Sequence, residues 1–344
     1  MGDILHALPA VTALRQAHPS WHIGWVVEPR WKPLLSAENS DAPQAERGTA
    51  QPVIDRLHFA AMRDWKHYPL NSKTVAEVKS LRTELRSSRY DAVLDLQGAI
   101  RSAATAKMTG CARIIGEAHP REWPANWMFS ERVRTHGAHV IEQDLELASS
   151  VAGDKLAPVE PVLPFDPDAE RWCYAQIAPQ PEGAAPRPIA LITPGAGWGA
   201  KRWPADRYAD VARGLVERGF RVLVNVGPGE EFLAEPIVAS GAASALTPTL
   251  PQLIALSRRV ALCIGGDTGP LHLASAMGRR VVGIYGPTDP SRNGPFGTRA
   301  RVLRSPASRR DHSRRSDPDP GLLTITPGDV LRAADELLAE DRCR

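Results

Sequence analysis

Val260-Ala261-Leu262-Cys263-Ile264-Gly265-Gly266-Asp267-Thr268-Gly269-Pro270-Leu271-His272 is an apolar run that breaks into a glycine turn and then opens a helix. A short continuous apolar run bounded by glycines fits a strand buried on both faces. Proline suits the first turn of the helix that follows, 269–277. The same strand–turn–helix unit recurs on either side. Ile189 to Ile192 reads as a strand, and Pro204 opens a helix that Gly219 closes, with Tyr208, Val211, Leu215 and Val216 on one face. Arg221 to Val226 and Val281 to Tyr285 read as further strands, with helices over 230–239 and 327–340. Strands alternating with helices predict a parallel sheet covered on both faces.

The first half repeats this grammar. Strands are expected over 22–27, 53–59, 90–96 and 112–115. Helices are expected over 72–88, where Val75, Val78, Leu81 and Leu85 hold helical spacing, and over 99–109 and 139–152. Leu5, Leu8, Val11 and Leu14 predict an apolar helix that Asp3 caps. Between 154 and 188 stand Pro158, Pro161, Pro164, Pro167, Pro179, Pro181, Pro186 and Pro188. Proline continues neither ladders nor helix interiors, so this stretch is a connector with one short helix near 168–177. The fold class is therefore α/β, with two doubly wound domains facing a cleft, 1–165 and 166–344. The last helix, 327–340, has the option of packing back on the first domain.

The bulk numbers agree. A chain of 344 residues exceeds one ordinary domain. With 43% hydrophobic and 24% charged residues it builds real cores without staples. A net charge of +3 implies no nucleic-acid partner. Cys111, Cys173, Cys263 and Cys343 stand alone, which argues against structural zinc or a disulfide framework and fits a reducing compartment. No apolar run reaches the ~20 residues of a bilayer span. The start resembles no signal peptide, so a cytoplasmic protein is expected, with contact at a membrane surface left open.

Ligands in doubly wound folds bind beyond the carboxyl ends of strands. Asp267, Thr268, Gly269 and His272 stand at such an end, where a helix start favours phosphate. The plain alternative is a turn that needs glycine and a cap. The run from Thr193 through Gly195 to Lys201 leaves another strand, and Lys201 is a point charge suited to a diphosphate or a solvated loop lysine. It is no P-loop, since neither Ser nor Thr follows. Glu230, after Val226-Gly227-Pro228-Gly229, suits a ribose or base, or simply a helix start. Gly286-Pro287-Thr288-Asp289-Pro290 fixes a turn that needs no function. In the first half, Asp3 is a helix cap or a general base, while Gln97, Gly98 and Arg101 sit at a strand end, where Arg101 alone reads as surface.

Taken in order, these segments resemble bacterial glycosyltransferase family 9, the ADP-heptose:lipopolysaccharide heptosyltransferases. The carrying pieces are the Met1–Ala10 start, Trp25-Val26-Val27-Glu28, Tyr90 to Gly98, Lys201-Arg202-Trp203-Pro204, Asp267-Thr268-Gly269 with His272, and Gly286 to Pro290. Trp25 to Glu28 and Leu5 to Pro9 favour the heptosyltransferase I branch. The resemblance implies a GT-B fold and inverting transfer of L-glycero-D-manno-heptose from ADP-heptose to a Kdo sugar on lipid A, without metal or cofactor. It implies that the first domain holds the acceptor and the second the donor. Asp3 would be the base and Lys201 would meet the diphosphate, so these two are the catalytic pair. Thr193, Gly195, Lys201, Glu230, Asp267, Thr268, Gly269 and His272 would hold the donor. Arg63, Lys66, Gln97 and Arg101 would hold the acceptor, Arg63 and Lys66 as part of a basic-aromatic cluster with Trp65. A monomer is expected.

The sequence departs from the family pattern at its start. Family members usually begin further upstream, with an apolar first strand ahead of Met-Gly-Asp. Without it the first sheet lacks a central strand, and that strand's neighbours lose ladder partners. A start codon assigned too far downstream would account for the difference. A second departure is Arg299, Arg301, Arg304, Arg309, Arg310, Arg314 and Arg315 around Asp311. They read as a solvated loop, or as a contact for anionic lipid. Rival readings are another family 9 transferase, a nucleotide-sugar epimerase and a non-catalytic nucleotide-sugar-binding protein. A nicotinamide dehydrogenase is least favoured, since no complete dinucleotide fingerprint is present.

Overall fold

The computed structural model describes residues 1–37, 47–178, 185–310 and 315–340. Pro179, Pro181, Asp311, Arg314 and Cys343, named above, lie outside the described residues. The chain forms two compact units, one running to Phe165 and the other from Asp166.

The first unit runs α1 Gly2–Ala17, β1 Gly24–Val27, β2 Arg56–Phe59, α2 Met62–His67, α3 Ser72–Ser87, β3 Val93–Asp95, α4 Ile100–Met108, β4 Ile114–Glu117, β5 Glu131–Val133 and α5 Val140–Ala152. A 3-10 turn, Trp123–Met128, precedes β5. Helix α1 is apolar on most sides, and Leu5, Leu8, Ala10, Val11 and Leu14 are all buried. Asp3 is not its cap. Met1 holds the capping position, and Asp3 lies in the first turn, where an acid suits the helix dipole. Arg15 ties the far end down, donating from Nε to the Val53 carbonyl at 2.8 Å and pairing with Asp55.

The strands of this unit fall into two parallel sheets, β1-β2 and β3-β4-β5, and no ladder joins them among the described residues. Val27 faces Phe59 in one sheet, and Leu94 faces Ile115 in the other.

The second unit opens with α6 Pro167–Ile177 and continues β6 Ile189–Thr193, α7 Ala205–Glu217, β7 Arg221–Asn225, α8 Glu231–Ala239, β8 Ala243–Leu246, α9 Leu250–Ser257, β9 Leu262–Gly266, α10 Gly269–Ala276, β10 Arg280–Tyr285, α11 Pro290–Asn293, β11 Ala300–Arg304 and α12 Pro327–Ala339. Its six strands are parallel in the order β11-β10-β9-β6-β7-β8. Counted within the unit this is 6-5-4-1-2-3, the doubly wound order, and the winding reverses between β6 and β9. Ligands in this fold class sit beyond the strand ends at that reversal. Helix α12 buries Val330, Ala333, Ala334 and Leu337 against α7, β10 and β11, so the apolar face with the option of returning to the first unit is covered within the second.

Strand β11 corrects the reading of 299–315 as a solvated loop. Residues 300–304 add an edge to β10, with Gly283 opposite Val302. Arg301 pairs with Glu336 at 2.9 Å and with Glu340 at 2.5 Å. Arg304 donates to the carbonyls of Gly286 and Ser308, and Arg310 pairs with Asp289 at 3.0 Å. Arg301, Arg304 and Arg310 thus have acidic or carbonyl partners within the second unit. No helix among the described residues is long and apolar enough to cross a membrane.

Candidate active site

In the second unit, the end of β9 meets the loop after β6. Lys201 closes a 3-10 turn, Gly199–Lys201, and its ammonium pairs with Asp267 Oδ2. Asp267 Oδ1 lies 2.8 Å from His272 Nε2, so one carboxylate joins a lysine and a histidine. All three side chains are largely buried. Burial alone would raise the pKa of Asp267. The hydrogen bond from His272 and the charges of His272 and Lys201 outweigh it and hold the carboxyl well below the usual range. The Lys201 ammonium also sits 4.1 Å from the centre of the Trp198 ring, a cation–π contact.

The backbone permits this closeness. A Cβ on Gly265 would stand 1.9 Å from Thr193 Oγ1, so β9 approaches β6 only with glycine there. Glu230, just before α8, reaches toward the loop after β6, where a Cβ on Gly195 would meet its Oε2 at 2.2 Å. Thr193, Gly195, Lys201, Glu230, Asp267 and His272 are thus brought together, and Gly269 begins α10 beside them. Thr268 occupies the N-cap of α10, yet its hydroxyl does not cap. It is buried with no hydrogen-bond partner among the described residues, as are the hydroxyls of Tyr285 and Thr288 at the end of β10. Burial, and then the Asp267 charge, hold the Tyr285 phenol well above its usual range.

A second group lies in the first unit. Gln97 Nε2 donates to Asp3 Oδ2 at 3.2 Å, and Arg101 Nε donates to Gln97 Oε1 at 3.3 Å. The turn that presents Gln97 is built by Asp95, whose Oδ1 accepts from the backbone of Gln97 and Gly98, both at 2.9 Å, while Ser102 donates to Oδ2 at 2.8 Å. Gly98 has φ +61°, a conformation that favours glycine. The chain at 120–122 packs against this turn, with Glu122 N donating to the Gly98 carbonyl at 2.9 Å. It carries Arg121, whose Nη1 lies 4.0 Å from Asp3 Oδ2. Asp144 on α5 is also near. It is 3% exposed, and burial, followed by the charges of Asp3 and Asp95, raises its carboxyl well above the usual range.

Arg63 and Lys66 do not join this group. Both are exposed on α2, whereas Trp65 between them turns inward against Ala60, Leu81 and Leu85 and donates to Glu77 at 2.8 Å. Helical spacing separates the aromatic ring from the two cations, so the expected basic-aromatic cluster does not form. Sequence reasoning missed Arg121 and Asp144, which no local motif marks. Among the described residues no group of three or more His, Cys, Asp or Glu is placed to hold a metal ion.

The sequence profile of glycosyltransferase family 9 (heptosyltransferase) matches residues 78–321. The chain belongs to this family. The match takes in Gln97, Arg101, Arg121 and the whole Lys201–Asp267–His272 group, and leaves Asp3 outside it. This family 9 chain is 29% identical over 322 residues to lipopolysaccharide heptosyltransferase 1 of Escherichia coli O18:K1:H7, covering 90% of each. It is 25% identical over 363 residues to lipooligosaccharide heptosyltransferase 2 of Haemophilus influenzae, covering 99% of this chain and 97% of the relative. The solved structure described as E. coli heptosyltransferase WaaC with ADP matches its fold with a TM-score of 0.75 at 24% identity, over 98% of this chain and 97% of that one. The glycosyltransferase fold expected from the sequence, α/β with two Rossmann-like units, is the fold of this family 9 chain.

Proposed function

We propose that this family 9 chain transfers L-glycero-D-manno-heptose from ADP-heptose to a Kdo sugar of the lipid A-linked core, with inversion. The observation that carries the donor half is Lys201–Asp267–His272 at the reversal of the sheet. A heptosyltransferase 1 relative at 29% identity and a neighbour described with ADP support it. Buried hydroxyls on Thr268, Tyr285 and Thr288 supply donors that a sugar nucleotide would satisfy.

In the proposed reaction the acceptor oxygen bonds to the anomeric carbon and its proton passes to Asp3. The bond from that carbon to the diphosphate breaks, and its electron pair leaves with ADP. Gln97 holds the Asp3 carboxylate by its side-chain amide, so the base is aimed before substrate arrives. Lys201 stabilises the charge that grows on the leaving diphosphate, and the free N–H groups at the start of α10 add to it. Asp267 keeps the ammonium of Lys201 in place while His272 fixes the carboxylate.

The test is ADP release from ADP-heptose, with and without Kdo-bearing lipid A. Acceptor-dependent release is expected. Lys201→Ala should lower kcat/KM by roughly 10²–10³-fold, the usual cost of losing one stabilising donor. Asp3→Ala should lower kcat by about 10²–10⁴-fold while leaving ADP affinity intact. ADP-heptose bound without any release would point to a binding-only protein, and release without acceptor to an epimerase or hydrolase.

A further inference from the structure

Two tryptophans stand out of the first unit on the turn that follows Arg121 and Glu122. Trp123 is 57% exposed and Trp127 is 71% exposed, both on the 3-10 turn Trp123–Met128. Free exposure of two large apolar rings four residues apart is unusual on a surface without a partner. The turn beneath them is firmly held. Ala125 and Phe129 pack with Ala103 and Ile114, and Asn126 donates from Nδ2 to the Ala118 carbonyl at 2.6 Å. The rings are therefore carried on a fixed base.

The position is more telling than the exposure. Glu122, next to Trp123, is bonded through its backbone to Gly98 and through Oε2 to the Ile100 amide at 2.8 Å. Gly98 follows Gln97, which donates to Asp3. Arg121, two residues before Trp123, lies 4.0 Å from the same Asp3 oxygen, and Arg101 is bonded to Gln97. A carboxylate and two guanidiniums thus stand together, and the turn that carries the two exposed indoles leaves this group two residues after Arg121.

We infer that Trp123 and Trp127 form a stacking platform for the acceptor glycan, taking the apolar C–H face of an anionic sugar ring while Arg121 and Arg101 take its carboxylate. The inference rests on the acceptor reading of the Asp3 group. A pyranose offers one face of C–H bonds and a rim of hydroxyls. An indole covers the face at low entropic cost, having two side-chain torsions to fix. The guanidiniums supply the charge-assisted, forked contacts that a sugar acid needs. The stacked ring would present its hydroxyl to Asp3 without any group having to enclose it. An anionic membrane surface fits less well as occupant, because Glu117, Glu122 and Glu131 balance Arg121, Arg132 and Arg134 along this segment.

The test uses the full chain and two acceptors, Kdo-bearing lipid A in detergent micelles and the same glycan with its acyl chains removed. Binding of the deacylated glycan, read by calorimetry, reports the platform independently of turnover. Trp123→Ala/Trp127→Ala should weaken it roughly ten- to hundredfold, the loss of two contacts of about 1 kcal/mol each. Trp123→Phe/Trp127→Phe should recover most of the binding. In ADP release, the alanine pair should raise KM for both acceptors and leave KM for ADP-heptose in place. An unchanged melting temperature is expected, since both rings are exposed. Weakening confined to the lipid-bearing acceptor would overturn the proposal and assign the indoles to a lipid surface. Unweakened binding of the deacylated glycan, or none by the unsubstituted chain, would also overturn it. Failure of the heptosyl reading is distinct: the glycan binds through the tryptophans, yet ADP-heptose yields no ADP.

Discussion

Two buried carboxylates carry opposite consequences for pH. Asp267 is held ionised by His272 and Lys201, so its folded pKa lies below the unfolded one. Its contribution to stability is present above the unfolded value, near 3.8, and is lost as pH falls from there. Removing one partner of a buried pair costs about 3–5 kcal/mol, so Asp267→Asn should be strongly destabilised at neutral pH and approach the parent only in acid. Asp144 is the reverse. Burial raises its folded value above the unfolded one, so the folded chain takes up a proton there. Stability from this group is complete below the unfolded value and declines as pH rises through the folded one. Asp144→Asn should thus match the parent near pH 3 and exceed it above neutrality, by roughly 1–3 kcal/mol, the cost of a buried polar group poorly matched to its site. Urea unfolding of both variants across pH reads the two slopes. Equal slopes in parent and variant would show that neither carboxylate titrates as described.

At the scale of elements, the approach of β9 to β6 is the feature on which the donor group depends. Gly265→Ala places a methyl 1.9 Å from Thr193 Oγ1 and 2.8 Å from the Thr193 carbonyl oxygen. A hydroxyl can rotate aside, but a strand carbonyl cannot. Overpacking of this kind costs typically ~1–3 kcal/mol. Adding Thr193→Ala should recover part of that loss and leave the part due to the carbonyl, which equilibrium unfolding of the single and double variants would separate. Full recovery would mean the strands spread freely. Strand β9 and helix α10 were legible because an apolar run, a glycine turn and Pro270 agree on one reading. Strands β8 and β11 were not, because both are edges with partly exposed residues, and β11 is rich in arginine. Lys201, Asp267 and His272 were each legible as site residues from their places after strands. Their mutual bonding was not, since Lys201 and Asp267 are 66 residues apart and only the register of β6 against β9 brings them together. Arg121 and Asp144 carry no local signal at all; their meaning arises from packing around Gly98 and α5.

At the scale of the molecule, the two units differ in how their sheets are supported. In the second, β6, β7, β9 and β10 each have a strand on either side. In the first, β4 alone is so flanked among the described residues. Backbone amides in flanked strands open mainly through global unfolding, whereas those in edge strands open locally. Hydrogen exchange should therefore be slower by orders of magnitude in β6, β9 and β10 than in β1, β2 and β3. A ligand that binds the folded form stabilises the part it binds, by about 2.7 kcal/mol at a hundredfold excess over Kd. ADP alone should then slow exchange across 193–204, 227–231 and 266–272 and leave residues 93–102 and 119–128 as they were. The deacylated acceptor glycan should do the reverse, protecting 93–102 and 119–128. Protection of both sets by either ligand alone would mean that donor and acceptor do not divide between the units. The assignment of Asp3 and the tryptophans to the acceptor would then have to be abandoned, even if heptosyl transfer itself were observed.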